Sequence, residues 1–155
     1  MTDLLDLLTM LVLGVSAGSL VTEGAVLVPM WRAQRPEAFL AWYRQHAALL
    51  LKFFGPLEVV AAVLAILSLG AHWVGSPGVP RLPALAAGLC VAVLVLFPLY
   101  FRRVNAGFES GATAPDRVPA ELARWARWHW LRTAIALGAF AAALLARMGQ
   151  PGGGA

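Results

Sequence analysis

The chain has 155 residues, 60% of them hydrophobic and 13% charged, with a mean hydropathy of +0.74 and a net charge of +4. A soluble domain carries about a quarter charged residues, so this chain cannot cover its apolar side chains with its own polar ones, and a water-borne globular protein is excluded. The basicity does not point to nucleic acid either, because the arginines cluster between apolar stretches instead of forming a continuous basic face.

A bilayer-spanning helix needs about 20 mostly apolar residues, and four stretches meet that need: roughly 4–30, 47–71, 82–101 and 130–146. They are long, unbroken and without period-two alternation, which predicts helices and not barrel strands. The first stretch opens with Asp3 and Asp6 and lacks Lys and Arg, so it is expected to be a retained helix and not a cleaved signal. Gly14 and Gly18 give it the spacing that lets helices approach closely. Ser16, Ser19 and Glu23 follow on one face, and Pro29 falls in its last turn.

Pro36 is placed to begin the second helix. Residues 38–46 read as an amphipathic turn at the interface, and a kink is expected at Gly55-Pro56. Residues 72–83 read as a short loop on the opposite side, with His72 solvated beside Trp73. The third stretch carries Cys90, a single thiol that cannot form an intrachain disulfide and reads as a packing residue. Residues 105–119 read as the longest polar loop, the fourth helix begins near Pro119, and the Gly-rich residues 149–155 read as a disordered tail. The expected fold is therefore all-α, one four-helix transmembrane domain over residues 1–148 in antiparallel up-down-up-down order.

Arg32, Arg35 and Arg44 lie between the first and second stretches, and Arg102, Arg103, Arg117, Arg124 and Arg127 between the third and fourth. The other side holds only Arg81 and Arg147. By the positive-inside rule this places the basic loops in the cytoplasm and both termini outside, in a multi-pass integral membrane protein. Five of the six tryptophans fall near the basic ends, where indoles favour the headgroup zone.

An ionisable residue inside a spanning helix costs roughly 2.5–3.5 kcal/mol at the centre, so such residues face the bundle interior and find partners. Glu23, Lys52, Glu58 and Arg132 are the candidates, with His46, Asn105 and His129 nearer the basic boundary. Trp125, Trp128, His129 and Arg132 share one helical face at i, i+3, i+4 and i+7. Arg132 is always charged; with Glu23 or Glu58 it forms either a structural ion pair or a pocket that orients a ligand. His46 and His129, from different helices, are candidate ligands for haem or a metal, candidate general bases, or ordinary interfacial histidines. Lys52 either snorkels to the interface or serves as counter-charge to Glu58 and ligand anchor. Asn105 either hydrogen-bonds a ligand or caps its helix. Phosphate-binding loops, nucleophile elbows, Cys pairs and acidic metal clusters are absent from the sequence, which disfavours those enzyme classes.

Three places resemble the DUF1772 membrane proteins, which include the anthrone oxygenase-like group. They are Gly18, Glu23, Gly24 and Pro29; Phe97-Pro98-Leu99-Tyr100 followed by Asn105; and Trp125-x-x-Trp128-x-x-x-Arg132-Thr133. Where that family often has an Asn before its Arg, this chain has His129-Trp130. The resemblance implies an oxidoreductase that converts a polycyclic anthrone to a quinone with dioxygen. His129 or His46 would then act as base and Arg132 as anion stabiliser, with Trp125 and Trp128 stacking on the flat rings. The cofactor would be haem, or none with dioxygen as co-substrate. The expected partners are the lipid bilayer and an apolar small molecule, with a homo-oligomer also open. A haem-binding electron carrier and a non-catalytic binding or transport module are the alternatives.

Overall fold

The structure, a computed structural model, describes residues 2–74 and 76–149. Four helices account for nearly all of it: α1 (Thr2–Arg32), α2 (Pro36–Trp73), α3 (Arg81–Ser110) and α4 (Pro115–Met148). No strand occurs among the described residues. Each helix is long and apolar enough to cross a membrane. Their outward faces carry Leu4, Leu11, Val15, Phe53, Val63, Leu67 and Leu137 exposed, a surface that only lipid can solvate. The chain is thus a multi-pass integral membrane protein, an antiparallel four-helix bundle.

Contacts between the helices give the directions. Asp6 at the start of α1 meets Ser68 at the end of α2, and Ser16 meets Glu58 further in. Asp3 pairs with Arg147 at 3.2 Å, and Glu23 with Arg132 at 3.0 Å, so α1 and α4 also run in opposite senses. The start of α1 and the end of α4 lie at one end of the bundle, here the terminal end; the arginine-rich connections lie at the other, the basic end.

Two cores stack along the bundle. At the terminal end Leu13, Ala61, Ala62, Ala65, Ala87, Cys90 and Ala139 form a cluster of mostly small side chains, which lets backbones approach closely without help from a hydrophobic drive. Cys90 is a packing residue there. At the basic end Trp31, Phe39, Tyr43, Phe101, Phe108 and Trp125 form a core of interlocked rings, with Phe39 and Phe108 edge to face at 5.2 Å.

Several sequence expectations need correction. The third helix does not stop at residue 101 but runs to Ser110. Phe101 and Phe108 face the core while Arg102, Arg103 and Glu109 face out, so an amphipathic extension continues where hydropathy falls. It ends at Gly111, whose φ of +76° lies in the left-handed region that favours glycine. The first turns of α2 are amphipathic, and their apolar face is spent on the protein itself: Phe39, Leu40 and Tyr43 are buried in the ring core, while Ala38, Ala41, Arg44 and Gln45 are exposed. Trp31 and Trp125 belong to that core too, at 1% and 2% exposure.

α2 stays helical through Pro56, which leaves the Lys52 carbonyl without its usual backbone donor. The Gly14–Gly18 spacing is not the point of closest approach: a Cβ on Gly14 would make ordinary contact with Phe140, and one on Gly18 would meet nothing within 4 Å. His72 is not a solvated loop residue. It is the penultimate residue of α2, and its Nε2 lies 3.0 Å from both oxygens of buried Asp6, which also accepts from Ser68 at 2.7 Å. The proposed tail, apart from Gly149, lies outside the described residues.

Candidate functional site

Two π-helical turns flank the middle of the basic half: Glu23–Leu27 in α1 and Phe97–Phe101 in α3. A proline accompanies each. Pro29 follows the first and Pro98 lies within the second. Proline supplies no N–H to the helical ladder, and the wider i→i+5 pairing is seen in Val28 N–H to the Glu23 carbonyl and Arg102 N–H to the Phe97 carbonyl. Such turns change the phase of a helix and recur at functional sites. Here the first holds Glu23 and Gly24 inward together, and the second brings Phe101 fully inside.

At Gly24 the side chains of α4 press closely on the α1 backbone. A Cβ there would stand 3.0 Å from the Trp130 ring and 3.1 Å from His129. That proximity lets His129, fully buried, donate from Nε2 to the Leu20 carbonyl at 2.9 Å. Its Nδ1 lies 3.1 Å from Arg132 Nη2. Arginine only donates and a carbonyl only accepts, so the two partners define the neutral tautomer with its proton on Nε2. Thr133 packs beside it and donates to the His129 carbonyl at 2.9 Å.

Arg132 carries the centre of the site. Its Nη2 donates to Glu23 Oε2 at 3.0 Å, and its guanidinium sits 4.5 Å from the Phe101 ring centroid. The residue is only 7% exposed, and its Nε has no hydrogen-bond partner. A second chain of contacts locks the helix face: Trp125 stacks on His129 at 4.9 Å, nearly parallel, and donates from Nε1 to Asn105 Oδ1 at 2.9 Å. Three helices are thereby joined through Asn105, Trp125, His129, Arg132 and Glu23.

Beside this set lies a cavity of about 470 Å³. Glu23 of α1, Glu58 of α2, Asn105 of α3 and Trp125 and Arg132 of α4 all line it, so every helix contributes one of the predicted polar or aromatic groups. The remaining wall is largely apolar: Ala47, Leu50, Leu51, Phe54 and Val59 from α2, and Val93, Leu94 and Phe97 from α3. Leu51 and Val59 are about half exposed on the outer surface, so the cavity reaches the lipid-facing side between α2 and α3. Glu58 has one partner, the Ser16 hydroxyl, donating to Oε1 at 3.1 Å.

Four predicted site residues stand elsewhere. Lys52 is exposed on the outside of α2 and does not line the cavity; its stem is long enough to snorkel, and Glu58 on the inner face is out of its way. His46 is partly exposed, stacked on Trp42 at 4.3 Å, with Nδ1 2.7 Å from the Trp42 carbonyl. Trp128 is 37% exposed and stacks on Tyr100 at 5.0 Å outside the cavity lining. His129 lies behind Arg132 and does not face the cavity either. Asn105 does not cap α3, since the helix continues past it.

His129 does not fit a haem or metal, because both its nitrogens are committed, one as donor and one as acceptor, leaving no lone pair to ligate; His46, with Nδ1 held by the Trp42 carbonyl, stands outside the cavity lining. Among the described residues no group of three or more His, Cys, Asp or Glu could hold a metal ion.

Sequence reasoning missed Phe101 beneath Arg132 and Tyr43 in the cavity wall. Tyr43 had a signal: residues 43, 47, 51, 54 and 58 recur at helical spacing, so the stripe through Glu58 runs back to it. Phe101 had none, because the π-turn breaks the periodicity that would have placed it.

Comparison with protein-family models, curated proteins and solved structures finds no match to this chain. The class of protein defined by fold and site is therefore a multi-pass, four-helix membrane protein with a polar-floored cavity in its basic half.

Proposed function

We propose that the protein is a membrane oxidoreductase that takes a flat, apolar aromatic molecule from the bilayer and oxidises it with dioxygen. The observation that carries this reading is the cavity lined by Arg132, a buried, permanently charged donor. A donor so placed stabilises negative charge developing on a bound oxygen, and in a site of low dielectric that is the largest single lever on rate. The DUF1772 resemblance supplies the reaction type. An anthrone loses a ring-methylene proton to give an electron-rich anion, the anion combines with dioxygen, and loss of water leaves the quinone: one CH₂ and one O₂ become one C=O and one H₂O.

The apolar wall and the rings of Phe54, Phe97 and Trp125 suit a polycyclic ligand. The exposed edge at Leu51 and Val59 gives it a path from lipid. With the basic connections in the cytoplasm, the cavity lies in the inner leaflet.

The test is purified protein in detergent, supplied with an anthrone under air, with quinone absorbance as readout. Arg132→Lys keeps a charge opposite Glu23 but lacks the planar guanidinium and its several donors, and turnover is expected to fall about 100-fold or more. Full activity in that variant, or no quinone from the native protein, overturns the reading. Binding of the anthrone without turnover would make the protein a non-catalytic binding module.

A further inference from the structure

The cavity needs a proton acceptor, and the histidines expected to serve are not in it. His129 Nδ1 accepts from Arg132, and its Nε2 carries a proton held by the Leu20 carbonyl. His46 stacks outside on Trp42. Among the titratable groups that do line the cavity, Tyr43 and the arginines are donors. Glu23 is committed to Arg132, and Glu109 stands exposed at the mouth beyond Asn105. Glu58 remains. It sits on α2 among Phe54, Val59, Leu94 and Phe97, with Ser16 on Oε1 and nothing bonded to Oε2.

We infer that Glu58 is the catalytic base, working with Arg132 across the bound ligand. The cavity then presents one unpaired acceptor on α2 and the Arg132 guanidinium on α4, both lining the same largely apolar space. Its ligand class follows: a flat apolar molecule with an ionisable hydrogen at one edge and an oxygen, conjugated to it, at another. In the step itself the ligand C–H bond breaks and the proton passes to Glu58 Oε2. The electron pair stays on the ligand and spreads onto the oxygen facing the Arg132 guanidinium. After dioxygen has added to that carbon as a peroxide, the second ring C–H bond and the O–O bond break to leave the C=O; the departing oxygen takes that second hydrogen and the proton from Glu58 and leaves as water, which restores the carboxylate. Ser16 is a positioning residue that orients the carboxylate from α1.

This inference rests on the oxygenase reading, and the experiment separates the two. The native protein is incubated without dioxygen in D₂O with anthrone, and deuterium entering the ring methylene is read by mass spectrometry; binding is read by tryptophan quenching. Glu58→Gln keeps the size of the side chain and its bond to Ser16. Native protein is expected to accelerate exchange, and Glu58→Gln to lose that acceleration by about 100-fold or more while still binding anthrone. His46→Ala is expected to exchange at the native rate. If Glu58→Gln exchanges like native protein while native protein makes quinone in air, the base is wrong and the oxygenase stands. If native protein neither binds anthrone nor forms quinone, the functional reading falls and this inference with it. Ser16→Ala, expected to slow exchange by less than Glu58→Gln, checks that a mere loss of packing is not the cause.

Discussion

The two halves of this bundle solve helix packing in opposite ways. At the terminal end, Ala61, Ala62, Ala65, Ala87 and Ala139 meet with Leu13 and Cys90, and small side chains fill the space between helices. At the basic end, Trp31, Phe39, Tyr43, Phe101 and Trp125 form a rigid stack of rings, two prolines introduce π-turns, and a cavity of about 470 Å³ stays open beside them. Small residues close a membrane bundle because nothing but contact and hydrogen bonding holds its helices together. Large rings hold helices apart and, once interlocked, cannot collapse into the gap. The polar groups divide in the same way. The terminal end uses its single buried carboxylate, Asp6, with Ser68 and His72 as a tie between α1 and α2. The basic end gathers Glu23, Glu58 and Arg132 around open space.

The strongest way to break that contrast is to unpair Arg132. Removing one partner of a buried ion pair leaves an uncompensated charge at a cost of about 3–5 kcal/mol. Thermal unfolding in detergent is expected to show that loss for Arg132→Ala and for Glu23→Ala, and a clearly smaller loss for the double variant. Equal and additive losses would mean that the two residues do not act as a pair.

Adding volume sharpens the comparison. Ala62→Leu at the closed end forces methyl groups into a filled core and is expected to cost about 1–3 kcal/mol. Ala47→Leu grows into the cavity wall, so it is expected to leave the unfolding temperature close to native while weakening anthrone binding. The reverse pattern would show that the closed and open halves have been misidentified.

The smallest effect distinguishes two glycines of α1. Gly24→Ala places a methyl 3.0–3.1 Å from Trp130 and His129, and is expected to lower stability and to disturb the His129–Leu20 contact. Gly18→Ala meets nothing within 4 Å, so only helix propensity changes, worth up to about 1 kcal/mol in its favour. Unfolding measurements on the pair are expected to move in opposite directions.

Hydropathy and the scarcity of charge were enough to determine the four spanning helices, their order and their antiparallel arrangement, because a bilayer admits so few other solutions. The same cost of burying charge made Glu23, Glu58 and Arg132 legible as inward groups, and all three do line one cavity. The tertiary structure decided what those groups face. It turned His129 away from the cavity by giving both its nitrogens partners, left Lys52 on the lipid side, and tied His72 to Asp6 across 66 positions of sequence. Side-chain commitments of that kind depend on neighbours from other helices, and two π-turns shift the register on which any reading along a single helix relies.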